Sequence, residues 1–541
     1  MMKRILGASM GSDVHTAGIL NFLELARNEG YEVIYLGGAV PIEKIIKTIE
    51  EETPDIVSIS YRLGADAFEN LIKEFIEKIK QLKNYEKIDF IFGGTVETSQ
   101  VAKKYDFFKK IFDGSEEEED VVLFLRGQIK YKEEKNFPST LAERIAFKSP
   151  YPLIRHHIGL QTMEETIEEI KRLAESELLD IISLAPDQNC QQYFFEQEKM
   201  DPNQDGAGGA PIRNEKDFVT MYEASRRGNY PLVRCYSGTN HMVEFSQVLK
   251  RTVNNAWAAI PIFWYSELDR RSERNLLDAI KENMEGIKWN ARNNIPVEIN
   301  DAHQWELRYA HDSLAVATTY LAAYVAKKLG VRWYVQQYMM NTPPKLSPKM
   351  DIAKSLAKLE LVETLKDETF TPYRMVRTGL LSFPADPNSA MGQLVSSMFY
   401  SSYLQPHIIH VVAYCEAMKR ATSKEIIESV KMVKRANSLA SRGLPDFASD
   451  PEIKARVNLL KEEAMVIIEK IKSLSPQKED PLTDPETLYL AVKKGILDAV
   501  GLQGNSIAKG QIKSAVINGA YEAVNENGEV LREAERNRGI K

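Results

Sequence analysis

Cysteine is scarce in this chain. Only three cysteines occur in 541 residues, and they are widely spaced, at Cys190, Cys235 and Cys415. This number and spacing supply neither a disulfide framework nor a cysteine-based zinc site, so we expect a protein of the reducing cytoplasm. No apolar run is long enough to span a bilayer, and the first residues lack a secretory pattern. We therefore expect no membrane partner.

Positive charge is not in excess either. The formal net charge is −7 and the isoelectric point is near 5.8. This balance argues against nucleic acid or an anionic lipid surface as a partner. Hydrophobic residues make up 43% of the chain and charged residues 27%, which is typical of globular proteins. A chain of this length can form several domains.

Strand and helix signals alternate from residue 1 to about 130. The strand-like runs are Arg4–Ser9, Glu32–Leu36, Ile56–Ser60, Phe90–Phe92 and Lys110–Phe112. Amphipathic stretches typical of helices lie between them, at Ile19–Asn28, Pro41–Glu51, Ala67–Lys80 and Thr98–Lys104. Strands joined by helices in this way predict an α/β domain with a parallel, doubly wound sheet of the flavodoxin-like (Rossmann-like) type.

A second, longer α/β pattern covers residues 151–474, after a polar linker predicted over residues 129–150. Its strand-like runs are Ile181–Leu184, Pro231–Cys235, Ile260–Phe263, Pro296–Asn300, Trp333–Tyr338, Arg374–Arg377 and Ile408–Val412. With helical segments between them, they approach the eight βα units of a TIM (β/α)8 barrel. Residues 486–541 predict a small α+β tail with a hairpin around Asn525-Glu526-Asn527-Gly528.

A histidine and an aspartate share the loop between the first predicted strand and its helix, in the order Asp13-Val14-His15-Thr16-Ala17-Gly18. Ligands of open α/β sheets bind at such loops, beyond the carboxyl ends of the strands. A histidine there can bind a metal through one ring nitrogen while a carboxylate orients the other. The spacing alone does not identify the metal, and a polar turn residue is the alternative.

The segment Asp13-x-His15-x-x-Gly18 resembles the D-x-H-x-x-G signature of cobalamin-binding domains of the base-off, His-on type. Polar or glycine residues at the ends of later strands match that family too, except that Arg62 stands where the family has leucine. The resemblance implies that His15 ligates cobalt, that Asp13 holds its other ring nitrogen and that Gly18 leaves room for the nucleotide tail. The residues it places at the cofactor are Ser12, Asp13, Val14, His15, Thr16, Gly18, Ser60, Tyr61, Arg62, Gly93, Gly94, Thr95, Gly114 and Ser115.

The second pattern resembles the large subunit of glutamate mutase (methylaspartate mutase), and the first domain resembles its small cobalamin-binding subunit. The segments that carry this resemblance are Pro231–Thr239, Phe383–Asp386, Ser389–Gly392, Cys415–Ala417 and Gly495–Glu535. It implies an adenosylcobalamin-dependent radical mutase, an isomerase that rearranges the carbon skeleton of a small carboxylate or amino acid. Because only twelve residues precede Asp13, we expect the barrel, not a preceding helical cap, to cover the corrin. We also expect a homodimer.

The same resemblance suggests a substrate other than glutamate. The family holds two substrate carboxylates with three arginines, and here Arg234 matches one of them while Gln191 and Met284 stand at or near the others. Neither glutamine nor methionine can replace a guanidinium. We therefore predict one carboxylate bound by Arg234 and a polar or basic group bound by Asp187, Asp301, His303 or Glu267. The candidate catalytic residues are Asp301, His303 and Glu416, and the candidate substrate-binding residues are Arg234, Gln191 and Asp187.

Two other functions fit the same motifs. One is a corrinoid-dependent methyltransferase whose barrel binds a methyl donor, and the other is a non-catalytic cobalamin carrier or sensor. Individual residues also have structural alternatives: Arg234 could pair with a carboxylate at the barrel mouth, Asp301 could cap a helix, and His303 and His311 could be structural.

Overall fold

The computed structural model describes residues 3–127 and 137–540. The chain divides into two compact units, one ending at Tyr131 and the other beginning at Lys132. Within the described ranges, none of the helices has both the length and the apolar character needed to cross a bilayer. Of the predicted linker over residues 129–150, residues 129–136 lie outside the described part.

The first unit is an α/β domain with a parallel sheet. Its strands are β1 (Arg4–Ser9), β2 (Glu32–Tyr35), β3 (Ile56–Tyr61), β4 (Asp89–Gly94) and β5 (Lys110–Phe112). Its helices are α1 (Ala17–Asn28), α2 (Ile42–Glu52), α3 (Ala65–Ile79), α4 (Val96–Ala102) and α5 (Glu118–Leu125). The described strands pair in the order β2-β1-β3-β4-β5, all parallel. This is the flavodoxin-like order, so the predicted fold class of this domain is confirmed.

Helices cover both faces of this sheet, which explains why its central strands β1 and β3 are buried along almost their whole length and mostly apolar. Phe68, Ile72 and Phe75 of α3 are fully buried against one face. On the other face, α1 buries Ile19 and Leu23. The sheet is therefore a well-packed base for the loops at the carboxyl ends of its strands.

The second unit is a parallel barrel with helices around it. Its strands are β6 (Leu153–Ile158), β7 (Ile181–Leu184), β8 (Leu232–Cys235), β9 (Ala258–Ala259), β10 (Val297–Glu298), β11 (Trp333–Met340), β12 (Thr371–Thr378) and β13 (Ile408–His410). They pair in the order β8-β7-β6-β13-β12-β11-β10-β9, and a single bridge between Tyr236 and Ala259 connects the two ends. The part of the chain that the structure describes thus confirms a nearly closed, eight-stranded parallel barrel.

The helices of this unit, with the two-stranded hairpin that follows the barrel, complete its architecture. The helices are α6 (Leu141–Lys148), α7 (Met163–Glu175), α8 (Gln188–Tyr193), α9 (Glu215–Ala224), α10 (Met242–Val253), α11 (Leu276–Arg292), α12 (Asp301–Glu306), α13 (Asp312–Lys328), α14 (Pro348–Glu363), α15 (Pro387–Ser401), α16 (Ser423–Ser441), α17 (Pro451–Lys472), α18 (Pro485–Lys493) and α19 (Glu533–Arg536). The hairpin consists of β14 (Lys513–Ile517) and β15 (Ala520–Val524).

Three details differ from the sequence prediction. Helix α6 lies inside the predicted linker, and strand β6 was not predicted because Arg155, His156 and His157 interrupt its apolar pattern. Strand β9 ends at Ala259, so the predicted strand Ile260–Phe263 is wrong. Those residues form a loop whose backbone donates to a buried carboxylate.

The two-stranded hairpin of the tail turns at Asn518-Gly519. The predicted turn around residues 525–528 is also present: one antiparallel bridge joins Val524 to Val530, and the N–H of Asn525 donates to Glu529 O. Asn518 and Gly519 both have positive φ angles, 50° and 79°, which is the geometry of the tight turn that an Asn-Gly pair favours. The tail packs within the second unit through buried ion pairs. Arg456 of α17 lies between Asp312 and Glu522.

Candidate functional site

Asp13 organises the loop after β1. Its side chain is fully buried, and its Oδ1 accepts hydrogen bonds from the backbone N–H of His15 at 2.9 Å and from His15 Nδ1 at 2.8 Å. Its Oδ2 accepts the backbone N–H of Arg62, just after β3, at 2.6 Å. Strands β1 and β3 are neighbours at the point where the strand order reverses, which is where open α/β sheets bind ligands. The carboxylate thus joins the two loops that flank this point.

The histidine beside it is held in one orientation. Because Asp13 accepts at Nδ1, the neutral imidazole carries its proton there and keeps the lone pair of Nε2. No hydrogen bond to Nε2 is found among residues 3–127, and the His15 side chain is 55% exposed. A ring fixed through one nitrogen and open at the other has the arrangement of a metal ligand with its supporting carboxylate.

The surface around His15 is apolar and open. Val14, Leu63 and Val96 follow β1, β3 and β4 in turn, and all three are exposed, Val14 and Val96 by more than half. A Cβ atom built on Gly18 or Gly93 meets no other atom within 4 Å. The carboxyl edge of the sheet thus offers apolar side chains and free space on the same edge as the open Nε2 of His15.

The described ranges contain no group of three or more His, Cys, Asp or Glu side chains placed to hold a metal ion. A cobalt ion carried in a corrin brings four ring nitrogens of its own, so it requires only one protein ligand. His15 alone would supply that ligand.

The barrel of the second unit encloses a polar cavity of about 420 Å³ at the carboxyl ends of its strands. Four charged side chains form its floor, and they come from the alternate strands β6, β8, β10 and β12. In a TIM barrel, side chains from alternate strands form one layer. We call this set the arginine layer: Arg155, Arg234, Glu298 and Arg377.

Glu298 is the one acidic member of the arginine layer. Its Oε2 accepts from Trp257 Nε1 at 2.8 Å and lies 3.7 Å from Arg234 Nη2. Arg155 Nη1 is 4.0 Å away, so both ion pairs are long. Trp257 lies beneath the two guanidinium groups, about 5 Å from each. Three buried cations therefore share one buried anion.

Four of the chain's histidines lie around this layer; three are buried and His157 is half-buried. Arg155 Nη2 donates to His157 Nε2 at 2.6 Å. An arginine can only donate, so His157 accepts at Nε2 and carries its proton on Nδ1, which has no partner in the described structure. Burial, with the nearby arginines, lowers the pKa values of the histidine rings, which are His156, His157, His303 and His410.

Comparison with known proteins bears on the first unit. Residues 3–122 match the model of the B12 binding domain. The first unit is a B12-binding domain. The curated proteins include no match to the chain.

Two solved structures are similar to parts of the chain. A cobalamin-binding protein from Desulfitobacterium hafniense DCB-2 is 24% identical over 20% of this chain, with a TM-score of 0.19. The match covers 52% of that protein, so this chain spans about half of its length. The cobalamin-dependent S-adenosylmethionine radical enzyme OxsB is 11% identical over 88% of this chain and 69% of its own, also with a TM-score of 0.19.

The other positions that the resemblance assigns to the cofactor fall into two groups in the B12-binding domain. The first group lies at or near the surface of the carboxyl edge of the sheet. It consists of Ser12, Val14, His15, Thr16, Gly18, the side chain of Arg62, Gly93 and Gly114. Others have partners inside the domain. Ser60 is buried with its Oγ 2.7 Å from that of Ser9, and Tyr61 stacks on Phe68 in the core.

The remaining assigned residues shape their own loops. A Cβ on Gly94 would lie 2.3 Å from Thr98 Oγ1, so Gly94 allows a close contact within the domain. Thr95 caps helix α4. Ser115 donates to Asp113 in a turn after β5. These residues shape the loops at the edge of the sheet.

In the barrel, the structure brings together some of the predicted substrate residues. Arg234, Gln191, His303 and Glu416 all line the cavity. His303 Nδ1 has no partner within the described ranges, and Glu416 is exposed at the mouth. Gln191 uses its amide nitrogen to donate to Pro186 O at 2.8 Å.

The acidic residues predicted to bind a basic group of the substrate do not line the cavity. Asp187 is fully buried, caps α8 and pairs with Arg213 through both oxygens, at 3.0 and 2.6 Å. Asp301 accepts the backbone N–H groups of Ile262 and Phe263, and burial raises its pKa to about 7. Glu267 accepts the N–H of Leu276. These carboxylates hold loops together, as carboxylates after strands often do by capping backbone donors.

Three cavity arginines were missed from the sequence. Arg271 lies in the loop before α11. The other two lie on strands: Arg155 on β6, which was not predicted, and Arg377 near the end of β12, whose polar residues received no role. The signal was available in principle, because both are charged residues within strands of a barrel, where inward positions are normally apolar. At the predicted third arginine position, Met284 is buried in the core. His311, which the sequence favoured as structural, is buried against Glu533.

Proposed function

We propose that the chain is a cobalamin-dependent isomerase that rearranges the carbon skeleton of a small carboxylate bound in the barrel cavity. The observation that carries the proposal is the arginine layer, which offers buried guanidinium groups to an anion on the same chain as a B12-binding domain. A cavity of about 420 Å³ suits a small molecule. The site at a barrel's carboxyl end is also where enzymes of this fold carry their chemistry.

The residues of the B12-binding domain fit the cofactor. His15 would ligate cobalt, Asp13 would orient the ring, and the space beside Gly18 and Gly93 would admit parts of the cofactor. The apolar side chains of Val14 and Val96 would face its ring. Adenosylcobalamin, when bound, supplies a carbon-centred radical that removes a hydrogen atom from the substrate.

The barrel residues would bind and shield the substrate. Guanidinium groups form strong, charge-assisted bonds to carboxylates and so fix the substrate in one orientation. The buried walls of the cavity exclude water, which protects reactive species from side reactions. His303 and Glu416 line the cavity and are the candidates for handling a proton.

Cobalamin uptake and turnover test this proposal. We expect the purified chain to bind adenosylcobalamin with the spectrum of a histidine-ligated, base-off cofactor, and the His15→Ala variant to lose that spectrum. Substrate should then induce a paramagnetic cobalt signal and yield an isomer detectable by NMR. Exchange of a cobalt-bound methyl group would instead indicate a methyltransferase, and uptake without any turnover a carrier or sensor. The homodimer remains a prediction for sedimentation to check.

A further inference from the structure

The floor of the barrel cavity is rich in hydrogen-bond donors that lack acceptors. Within the described structure, Arg155 Nε, Arg377 Nε, and both Nε and Nη1 of Arg234 are buried without a partner. Arginine nitrogens can only donate. His157 adds a further donor, because its Nε2 accepts from Arg155 and its proton is on Nδ1. An occupant that satisfies these atoms must bring several acceptor oxygens to the floor.

The cavity has no free carboxylate at the same depth. Glu298 and Glu416 are its acidic lining residues among those described. Glu298 is already bonded to Trp257 and near two guanidinium groups. Glu416 is exposed at the mouth, where it interacts with Arg377, and Arg271 adds a fourth cation to the lining. The floor therefore has two more positive than negative groups. A substrate ammonium placed there would be repelled by three arginines, and the one acid at that depth, Glu298, is already shared by Trp257, Arg155 and Arg234.

We propose that the cavity selects a small substrate with two carboxylates and no ammonium group. Two carboxylates neutralise the excess charge of the arginine layer and supply acceptors for its unpartnered nitrogens. This inference rests on the proposed function, because it takes the cavity as the substrate site. It also replaces the single carboxylate and basic group expected from the sequence, since Asp187, Asp301 and Glu267 are bonded elsewhere.

Calorimetric titration of the full chain without added cobalamin tests the charge preference. Glutarate and glutamate are matched probes, because they share the same two carboxylates and differ by one ammonium group. We expect glutarate to bind at millimolar concentration or below, and glutamate to bind at least about tenfold more weakly. Glutamate binding as tightly as glutarate, or no glutarate binding at millimolar concentration, would overturn the proposal.

Substitutions of single arginines show whether glutarate binds in the barrel cavity and whether the arginine layer holds it. Arg155→Gln and Arg377→Gln should each weaken glutarate binding by about tenfold or more. Arg251→Gln, on the exposed face of α10 and paired with Glu215, is the matched control and should leave the affinity unchanged. Equal weakening in the control would show that binding lies outside the cavity.

A variant that adds an acidic group should move the preference in the opposite direction. Asn300 lines the cavity, and its Oδ1 is buried without a partner within the described ranges. Asn300→Asp keeps the shape of the side chain and removes one unit of net positive charge. We expect it to weaken glutarate and narrow or reverse the discrimination against glutamate. An unchanged ratio of the two affinities in a variant with wild-type melting behaviour would contradict the electrostatic basis of the proposal.

Failure of the dicarboxylate proposal and failure of the proposed function would give different results. The titration needs neither cobalamin nor turnover, whereas the proposed function is tested through His15 and product formation. Failure of glutarate to bind, with normal His15-dependent cobalamin uptake and an isomer formed from another carboxylate, would remove only this inference. Absence of cobalamin uptake with normal glutarate binding would remove the proposed isomerase and leave the anion site.

Discussion

Replacing Asp13 with asparagine tests the link between the buried carboxylate and the exposed histidine. Asparagine has nearly the same shape, but one of its two terminal atoms donates instead of accepting. In the native loop, three donors face the carboxylate: two from His15 on Oδ1, and the N–H of Arg62 on Oδ2. Either orientation of the new amide places its NH₂ group against at least one of these donors.

The expected loss of cobalamin affinity depends on which donor is left without an acceptor. A hydrogen bond to a buried charged group contributes about 2 kcal/mol. If the NH₂ group faces Arg62, the loop loses its connection to the end of β3. If it faces His15, the ring turns or moves its proton to Nε2, the atom that would ligate cobalt. Both outcomes weaken ligation, and we expect cobalamin affinity to fall by about 30-fold, within the range known for such supporting carboxylates.

Absorbance titration of the purified chain with cobalamin measures both the affinity and the mode of binding. Asp89→Asn is the matched control, because it makes the same substitution at the start of β4, at the other end of the same sheet. We expect the control to bind like the wild type. Native affinity and an unchanged spectrum in Asp13→Asn would refute the assignment of Asp13 as the group that fixes the histidine tautomer.

Three further predictions concern the barrel unit. Burial lowers the pKa of His156 to about 4 and lowers the pKa values of His157, His303 and His410. Unfolding therefore takes up protons, so the free energy of unfolding should fall as the pH drops from 6.5 towards 4. In denaturant titrations, His410→Gln should reduce this pH dependence by up to about 1.4 kcal/mol per pH unit. Arg456→Met removes the cation that Asp312 and Glu522 share and, within the described ranges, leaves Asp312 with Lys354 alone as a cation, at 4.0 Å. It should lower the free energy of unfolding by about 3 kcal/mol, and a loss of less than about 1 kcal/mol would mean that this ion pair does not hold the tail. Gly519→Ala should lower the melting temperature, because φ is 79° and a Cβ would lie 2.5 Å from Ser347 Oγ. Gly528→Ala is the control: φ is similar, 81°, but a Cβ would meet open space, so the melting temperature should fall less.

The hydrogen bonds between Asp13 and His15 could be predicted because their geometry is local. Asp13 and His15 are two residues apart, so a loop of almost any shape lets the carboxylate reach both the N–H and Nδ1 of the histidine. The position of the loop after β1 followed from the alternation of strands and helices. The bond from Arg62 to Asp13 could not be predicted, because those residues are 49 apart in sequence and meet only through the pairing of β1 with β3.

The barrel cavity was predicted less well because its parts come from separate strands. Sequence reasoning took polar residues after strands as substrate ligands and so selected Asp187 and Asp301. In the structure these carboxylates satisfy backbone donors of neighbouring loops. A carboxylate that follows a strand can serve either purpose, and only the three-dimensional position of the nearest N–H groups decides between them. Arg155 was overlooked for the opposite reason, since a charged residue inside a strand weakens the strand signal itself.

The arginine layer shows why positions carried over from a resemblance left two of the cavity's buried arginines without a role. Of the three arginine positions that the resemblance to glutamate mutase implies, this sequence keeps Arg234 alone, so we expected a second carboxylate to have no partner. The barrel instead places Arg155 and Arg377 beside Arg234, because residues of alternate strands meet in one layer whatever their distance along the chain. A layer of three cations and one anion is costly to bury, and replacing such groups with apolar side chains often stabilises a protein. The layer is therefore hard to explain as a structural core. An anionic ligand that satisfies its free nitrogens should raise the melting temperature of the chain, and above its Kd the rise should continue with the logarithm of ligand concentration.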